Sequence, residues 1–203
     1  MSKMATKMIT MDKFVKKKIV ITVKSQAKKP ESVRVTETLN VYCDGSTLGN
    51  GKRNACGGIG IYFGPNDPKN VSEPFTKTVP TNQKTELYAL IQTLTILEQI
   101  MRNHEDIEYI FHIYSDSEYT INCMEKWVPN WMANDWVKWD KKPVKNVDLL
   151  KKLSSLYYPN RKHYKLHHVM SHTGDQSQHS LGNQEADRLA VAGSRQHPNW
   201  HTR

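Results

Sequence analysis

Four acidic residues stand in four separate segments, each in a setting suited to metal chemistry: Asp44, Glu86, Asp116 and Asp187. Asp44 closes the strand-like run Leu39-Asn40-Val41-Tyr42-Cys43-Asp44 and is followed by Gly45-Ser46. Asp116 ends a second apolar run, Ile110-Phe111-His112-Ile113-Tyr114-Ser115-Asp116. Glu86 lies in the first turns of a helical pattern beginning Thr81-Asn82-Gln83-Lys84-Thr85, and Asp187 in Gly182-Asn183-Gln184-Glu185-Ala186-Asp187-Arg188-Leu189-Ala190. Carboxylates are hard oxygen donors that suit Mg²⁺ or Mn²⁺. Four of them, gathered from distant segments, could hold two ions of the kind used for in-line displacement at phosphorus.

The elements that must gather these acids can be read in order. Alternation of apolar residues predicts strands at 39–46, 55–63 and 72–79, the first two joined through Gly49-Asn50-Gly51. That turn is no phosphate loop, because no Gly-Lys-Ser/Thr follows it into a helix. Leu87, Leu90, Ile91, Leu94, Leu97 and Met101 recur at helical spacing and predict a helix over 82–102, capped by Thr81 or Asn82. A strand at 108–115, a short helix from 117 to 126, an irregular insert over 127–145, a helix at 146–157, a strand at 164–171 and a helix at 183–195 complete the pattern. This is an α/β chain, a five-stranded mixed sheet flanked by helices, with a basic Trp-rich protrusion. Neighbouring strands 39–46 and 108–115 would bring Asp44 and Asp116 together at carboxyl ends, where open sheets bind ligands.

Length and composition narrow the class. The 203 residues are 37% apolar and 24% charged, which suits a folded domain with an appendage. No apolar run reaches the roughly 20 residues needed to span a bilayer, so no membrane partner is expected. The start, Met1-Ser2-Lys3-Met4-Ala5, lacks the apolar core of a secretory signal. Cys43, Cys56 and Cys123 are odd in number and unpaired in spacing, which points to a reducing intracellular compartment, cytoplasm or nucleus. Cys43 alternates with Val41 and Leu39 and reads as a buried small residue.

The motifs Tyr42-Cys43-Asp44-Gly45-Ser46, Thr81-Asn82-Gln83-Lys84-Thr85-Glu86-Leu87, Tyr114-Ser115-Asp116-Ser117 and Gly182 to Ala190 together resemble type 1 ribonuclease H. The similarity runs from Leu39 to Ser194. Singly each motif is common; all four in order on suitable elements are specific. The resemblance implies hydrolysis of the RNA strand of an RNA–DNA hybrid, leaving 3′-hydroxyl and 5′-phosphate ends. It implies two ions, Mg²⁺ with Mn²⁺ as substitute, with Asp44 bridging them, Glu86 and Asp116 on the attacking side and Asp187 on the other. His172, in Ser171-His172-Thr173-Gly174, resembles the family's mobile-loop histidine, which suits proton transfer near neutral pH. Its distance from Asp187 is longer than the usual pattern, and the extra segment, Asp175 to Ser180, supplies a rival in His179.

The same resemblance assigns substrate contacts. Asn50, Asn82 and Gln83 match positions that meet the RNA in the minor groove. Trp127 and Trp131 match positions lining a channel for the DNA strand, where ring faces and lysines suit sugars, bases and phosphates. Trp136 and Trp139 are expected to form the small core of the protrusion. Thr81 and Asn146 resemble two members of a DNA phosphate pocket, whose third member, usually Arg, here corresponds to Val79. His163, His167, His168, His172 and His179 invite a zinc reading through their spacing, but a strand over 164–171 would not gather them as a helix does.

Charge is uneven. Residues 1–38 carry ten Lys/Arg against three Asp/Glu, leaving the rest nearly neutral within a total of +9. The expected organisation is a basic, flexible arm over 1–38, a catalytic domain over 39–195 and a tail over 196–203, acting as a monomer. Such an arm suits an anionic partner, as a nucleic-acid tether or, around Lys16-Lys17-Lys18, a nuclear signal. A mitochondrial presequence is disfavoured because the arm uses Lys rather than Arg. Three rivals stay open: a strand-transfer or junction-cleaving nuclease with related acids, a non-catalytic hybrid-binding module, and the ribonuclease H domain of a reverse transcriptase cut from its polymerase.

Overall fold

The structure, a computed structural model, describes residues 35–170 and 176–202. His172 and the basic arm up to Arg34 lie outside the described residues. Five strands form one sheet in the order β3-β2-β1-β4-β5. They are β1 (Val35–Leu48), β2 (Cys56–Tyr62), β3 (Val71–Phe75), β4 (Ile107–Ser115) and β5 (Tyr164–His168). The β1–β2 and β2–β3 pairs are antiparallel, whereas β1–β4 and β4–β5 are parallel. This is the mixed sheet that the alternation predicts.

Period-two alternation divides the sheet into two faces. Val41, Cys43, Ile59, Ile61, Phe111 and Ile113 point to one side, into the main core with Leu87, Leu90, Leu94 and Leu97 of α1 (Asn82–Asn103) and Leu150 and Leu153 of α4 (Val147–Tyr157). Tyr42, Tyr62 and Tyr114 point to the other side, against Ala186 of α5 (Gln178–Arg195). That helix can lie close to the sheet because β2 offers glycine: a Cβ on Gly60 would come within 2.0 Å of the Ala186 carbonyl oxygen. The three cysteines are buried and free, Cys43 within the core as its alternation implies.

Several boundaries differ from those expected. β1 starts at Val35, pairing with Ile107, so residue 38 falls inside a strand. β3 ends at Phe75, next to the edge-strand Pro74, instead of running to 79. The insert is less irregular than expected. After α2 (Glu118–Asn122) comes a π-turn over Cys123–Trp127, then α3 (Val128–Ala133). α5 begins five residues early because Ser177 caps it, accepting from Ser180 N. Beyond 195 the chain is not extended: Pro198–Thr202 forms a 3₁₀ turn, with His197 buried and Asn199 Nδ2 donating to the Ala55 carbonyl. Among the described residues, no helix is long and apolar enough to cross a membrane.

Candidate active site

The parallel β1–β4 pair sets Tyr42 beside Tyr114, so Asp44 and Asp116 leave the same edge of the sheet two residues later. Glu86 reaches them from the second turn of α1. That approach depends on Gly45, since a Cβ there would lie 2.2 Å from Glu86 N and 2.2 Å from the Thr85 carbonyl carbon. Thr85 Oγ1 lies 3.1 Å from Thr47 Oγ1, tying the start of α1 to β1. Thr81 caps α1, its hydroxyl accepting from Lys84 N at 3.4 Å. Asp187 comes from α5.

The four acids act on one another. Asp44 is 9% exposed, and its carboxyl is pushed up to about 8, first by burial and then by Asp116, with Asp187 and Glu86 adding to it. A hydrogen bond from the Gly45 backbone opposes the rise. Glu86 is also raised, by burial first; Ser117 holds it down and Asp116 pushes it up. Like charges held this close in a partly buried site favour either a proton or a cation among them. Among the described residues no three Asp, Glu, His or Cys groups converge into a ready-made metal cage. The acids therefore form an open set, and the fit to a divalent ion rests on their oxygen donors and mutual repulsion.

Two residues outside the expected site set orient the acids. Ser117 Oγ donates to Glu86 Oε2 at 2.6 Å while accepting from Thr120 N at 3.1 Å, so one hydroxyl both caps α2 and fixes Glu86. Asn183, 4% exposed, donates through Nδ2 to Asp116 Oδ2 at 3.2 Å, and its own Oδ1 is buried without a partner. Both sit inside the motifs already noted, Ser-Asp-Ser and Gly-Asn-Gln-Glu-Ala-Asp. Neither role has a local signal in the sequence, because each partner lies far along the chain, 31 and 67 residues away.

Of the expected substrate residues, Asn50, Asn82 and Gln83 are exposed, and the last two open α1 in front of Glu86. Asn146 takes a left-handed φ of 56° at the start of α4, and its side chain bonds Tyr119. Val79 is exposed, and Lys84 Nζ donates to its carbonyl at 2.9 Å, which puts a cation beside Thr81 where the resemblance lacks one. Trp127 and Trp131 pack ring to ring at 5.8 Å. Trp136 rests on the main core with Lys151 Nζ 5.8 Å from its ring. Trp139 contradicts its expected place in a small core: it is 96% exposed, at the tip of a turn closed by the Val137–Pro143 bridge. Asp140 bridges Lys138 and Lys142 within that turn. The zinc spacing resolves into separate contacts. His163 bonds the Tyr109 carbonyl, His168 lies 3.2 Å from the Asp116 carbonyl, and His167 Nε2 lies 2.8 Å from His112 Nδ1.

Known proteins resemble this chain in sequence and in fold. The family model for RNase H matches residues 36–195. A ribonuclease H of Schizosaccharomyces pombe is 36% identical over 164 residues, covering 81% of this chain and 56% of the relative. A probable ribonuclease H of Acanthamoeba polyphaga mimivirus is 34% identical over 142 residues, covering 70% and 60%. The chain thus spans little more than half the length of those two relatives. A ribonuclease H of Cupriavidus necator is 31% identical over 157 residues, covering 77% of this chain and 95% of the relative. Among solved structures, a type 1 RNase H with the type 2 active-site motif superposes with a TM-score of 0.57 at 23% identity, covering 81% of this chain and 76% of that one. A foamy viral protease–reverse transcriptase in complex with RNA/DNA hybrid superposes at 0.63 and 22% identity, over 87% of this chain and 22% of that one. At such identities the structural likeness carries the fold, and the family follows from the sequence matches: the chain belongs to the RNase H family.

Proposed function

We propose that this chain is an endoribonuclease that hydrolyses the RNA strand of RNA–DNA hybrids, leaving 3′-hydroxyl and 5′-phosphate ends. The observation that carries the reading is the set of four carboxylates, drawn from β1, α1, the end of β4 and α5, among which Asp44 is raised by burial first and then by Asp116, Asp187 and Glu86. Two Mg²⁺ ions, or Mn²⁺, held by Asp44, Glu86, Asp116 and Asp187, would supply an attacking water of lowered pKa and neutralise charge at the scissile phosphate. Asp44, the most buried of the four, would be the shared ligand. Ser117 holds one Glu86 oxygen and Asn183 one Asp116 oxygen, leaving the second oxygen of each carboxylate to turn toward an ion. His172 is assigned to proton transfer by resemblance.

Substrate selection follows from the rim. Asn50, Asn82 and Gln83 would read the RNA strand, whose 2′-hydroxyl both donates and accepts. Trp127 and Trp131 would pack on the DNA strand, and Thr81, Asn146 and Lys84 would meet a DNA phosphate, Lys84 serving in place of the usual Arg. The exposed Trp139, among Lys138, Lys141 and Lys142, would extend that surface. The chain would work as a monomer inside the cell.

Asp116→Asn tests the reading. The amide still accepts from Asn183, so the fold should persist while hydrolysis of hybrid falls by about two to three orders of magnitude, since losing one ligand removes about 3–4 kcal/mol of transition-state stabilisation by analogy with one lost oxyanion donor. Wild-type turnover in that variant would sink the assignment.

A further inference from the structure

We infer that His179 is a positioning residue, which pins the first turn of α5 to the sheet and so sets Asn183 and Asp187 against Asp116. The inference rests on reading the four carboxylates as the catalytic set. His179 is the second residue of α5, and its ring stacks on Tyr114 with centroids 4.1 Å apart and planes 20° from parallel. Its Nδ1 lies 3.2 Å from the Tyr42 hydroxyl, within hydrogen-bonding distance. Tyr42 and Tyr114 themselves stack at 5.0 Å, two residues ahead of Asp44 and Asp116 respectively. The imidazole thus holds both strands that deliver those carboxylates.

Helical spacing carries this grip into the site. Gly182, one turn on, presses against Tyr42: a Cβ there would meet the ring at 2.4 Å. Asn183, four residues after His179, is on the same face and bonds Asp116. Ala186 and Ala190 continue that face, both fully buried, and Asp187 adjoins it. The first turn of a helix has unpaired N–H groups and frays most easily. Here that turn is the one supporting Asn183. Ser177 caps the backbone, and His179 supplies the side-chain attachment to the sheet. Its ring is engaged on one face by Tyr114 and at Nδ1 by Tyr42, an arrangement suited to anchoring rather than to carrying protons to and from a moving substrate.

Two substitutions separate those roles. His179→Phe keeps a ring to stack on Tyr114 but cannot carry a proton; His179→Ala removes the anchor while Ala186 and Ala190 keep the helix docked. Three quantities are measured on the full chain: Mn²⁺ affinity by calorimetry on metal-free protein, amide exchange across 178–183, and the pH profile of hybrid cleavage. His179→Ala should weaken Mn²⁺ binding about tenfold, speed exchange in that turn and lower kcat by about tenfold or more. His179→Phe should restore exchange protection, metal affinity within about threefold and an unaltered pH profile. Loss in His179→Phe as deep as in His179→Ala, with a changed pH profile, would overturn the inference in favour of a proton carrier. Unchanged Mn²⁺ affinity and exchange in His179→Ala would overturn it outright. If the wild-type chain does not cut hybrid, the proposed function fails, yet the exchange and Mn²⁺ comparisons still decide the anchor.

Discussion

Replacing Asp44 with Asn should stabilise the metal-free protein while destroying its activity, and the structure sets the size and pH dependence of the gain. Burial, then Asp116, Asp187 and Glu86, move the Asp44 carboxyl from 3.8 to about 8 in the folded chain. Between those values the folded state holds a proton that the unfolded state has released. Stability from this group is therefore highest below the unfolded pKa and falls as pH rises toward 8. At about 1.4 kcal/mol per pKa unit, the full displacement is an upper bound of about 6 kcal/mol. Water reaching the open side of the cluster and small outward shifts of Glu86 and Asp187 reduce it, to roughly 1–3 kcal/mol.

Asn is nearly isosteric with the neutral acid and does not titrate. In EDTA, urea unfolding of Asp44→Asn and wild type should give nearly equal stabilities near pH 4, with the variant ahead by about 1–3 kcal/mol at pH 8. Taking the difference cancels the general repulsion of a chain with net charge +9. Millimolar Mg²⁺ should reverse the order, because the wild type gains the linkage term and the variant, having lost a ligand, gains little. A wild type more stable than Asp44→Asn at pH 8 without metal, or a difference flat with pH, would refute the picture of a buried carboxyl raised among like charges.

Three further outcomes are expected. Gly45→Ala forces a methyl into the backbone at Glu86, and should cost roughly 3 kcal/mol in denaturant unfolding and displace Glu86, with activity falling alongside. Ser117→Ala removes both the cap of α2 and the hold on Glu86; a loss of about 1–2 kcal/mol and a higher Mg²⁺ requirement should appear together in unfolding and metal-titration assays. Trp139→Ala should leave stability within about 0.5 kcal/mol, because the ring is already in solvent, yet raise KM for hybrid about fivefold.

Much of this architecture is legible from the chain alone, for physical reasons. Tyr42, Asp44, Tyr114 and Asp116 lie on regular alternation, and the Leu87 to Leu97 stripe has unbroken helical period, so strands and α1 follow from local pattern. The start of α5 does not, because Gln178-His179-Ser180 has no apolar periodicity; its helix is secured by a cap and by tyrosines 65 and 137 positions away in the sequence. Ser117 and Asn183 act on partners 31 and 67 residues distant, contacts that local spacing does not encode. Trp139 shows the limit of composition: four tryptophans among lysines look alike until the Val137–Pro143 bridge turns one outward. The contest between His172 and His179 is resolved only for the latter, which is held on the sheet, while His172 falls outside the described residues.

The central claim is tested most directly by offering the full chain labelled RNA–DNA hybrid, RNA–RNA, DNA–DNA and single-stranded RNA, each with Mg²⁺, Mn²⁺ or EDTA. Cutting of the RNA strand in the hybrid alone, dependent on a divalent ion and leaving 5′-phosphate ends, is the result that the four carboxylates and the proposed RNA and DNA contacts predict. Comparable cutting of RNA–RNA or DNA–DNA, or hybrid bound but left intact with either ion, would contradict it.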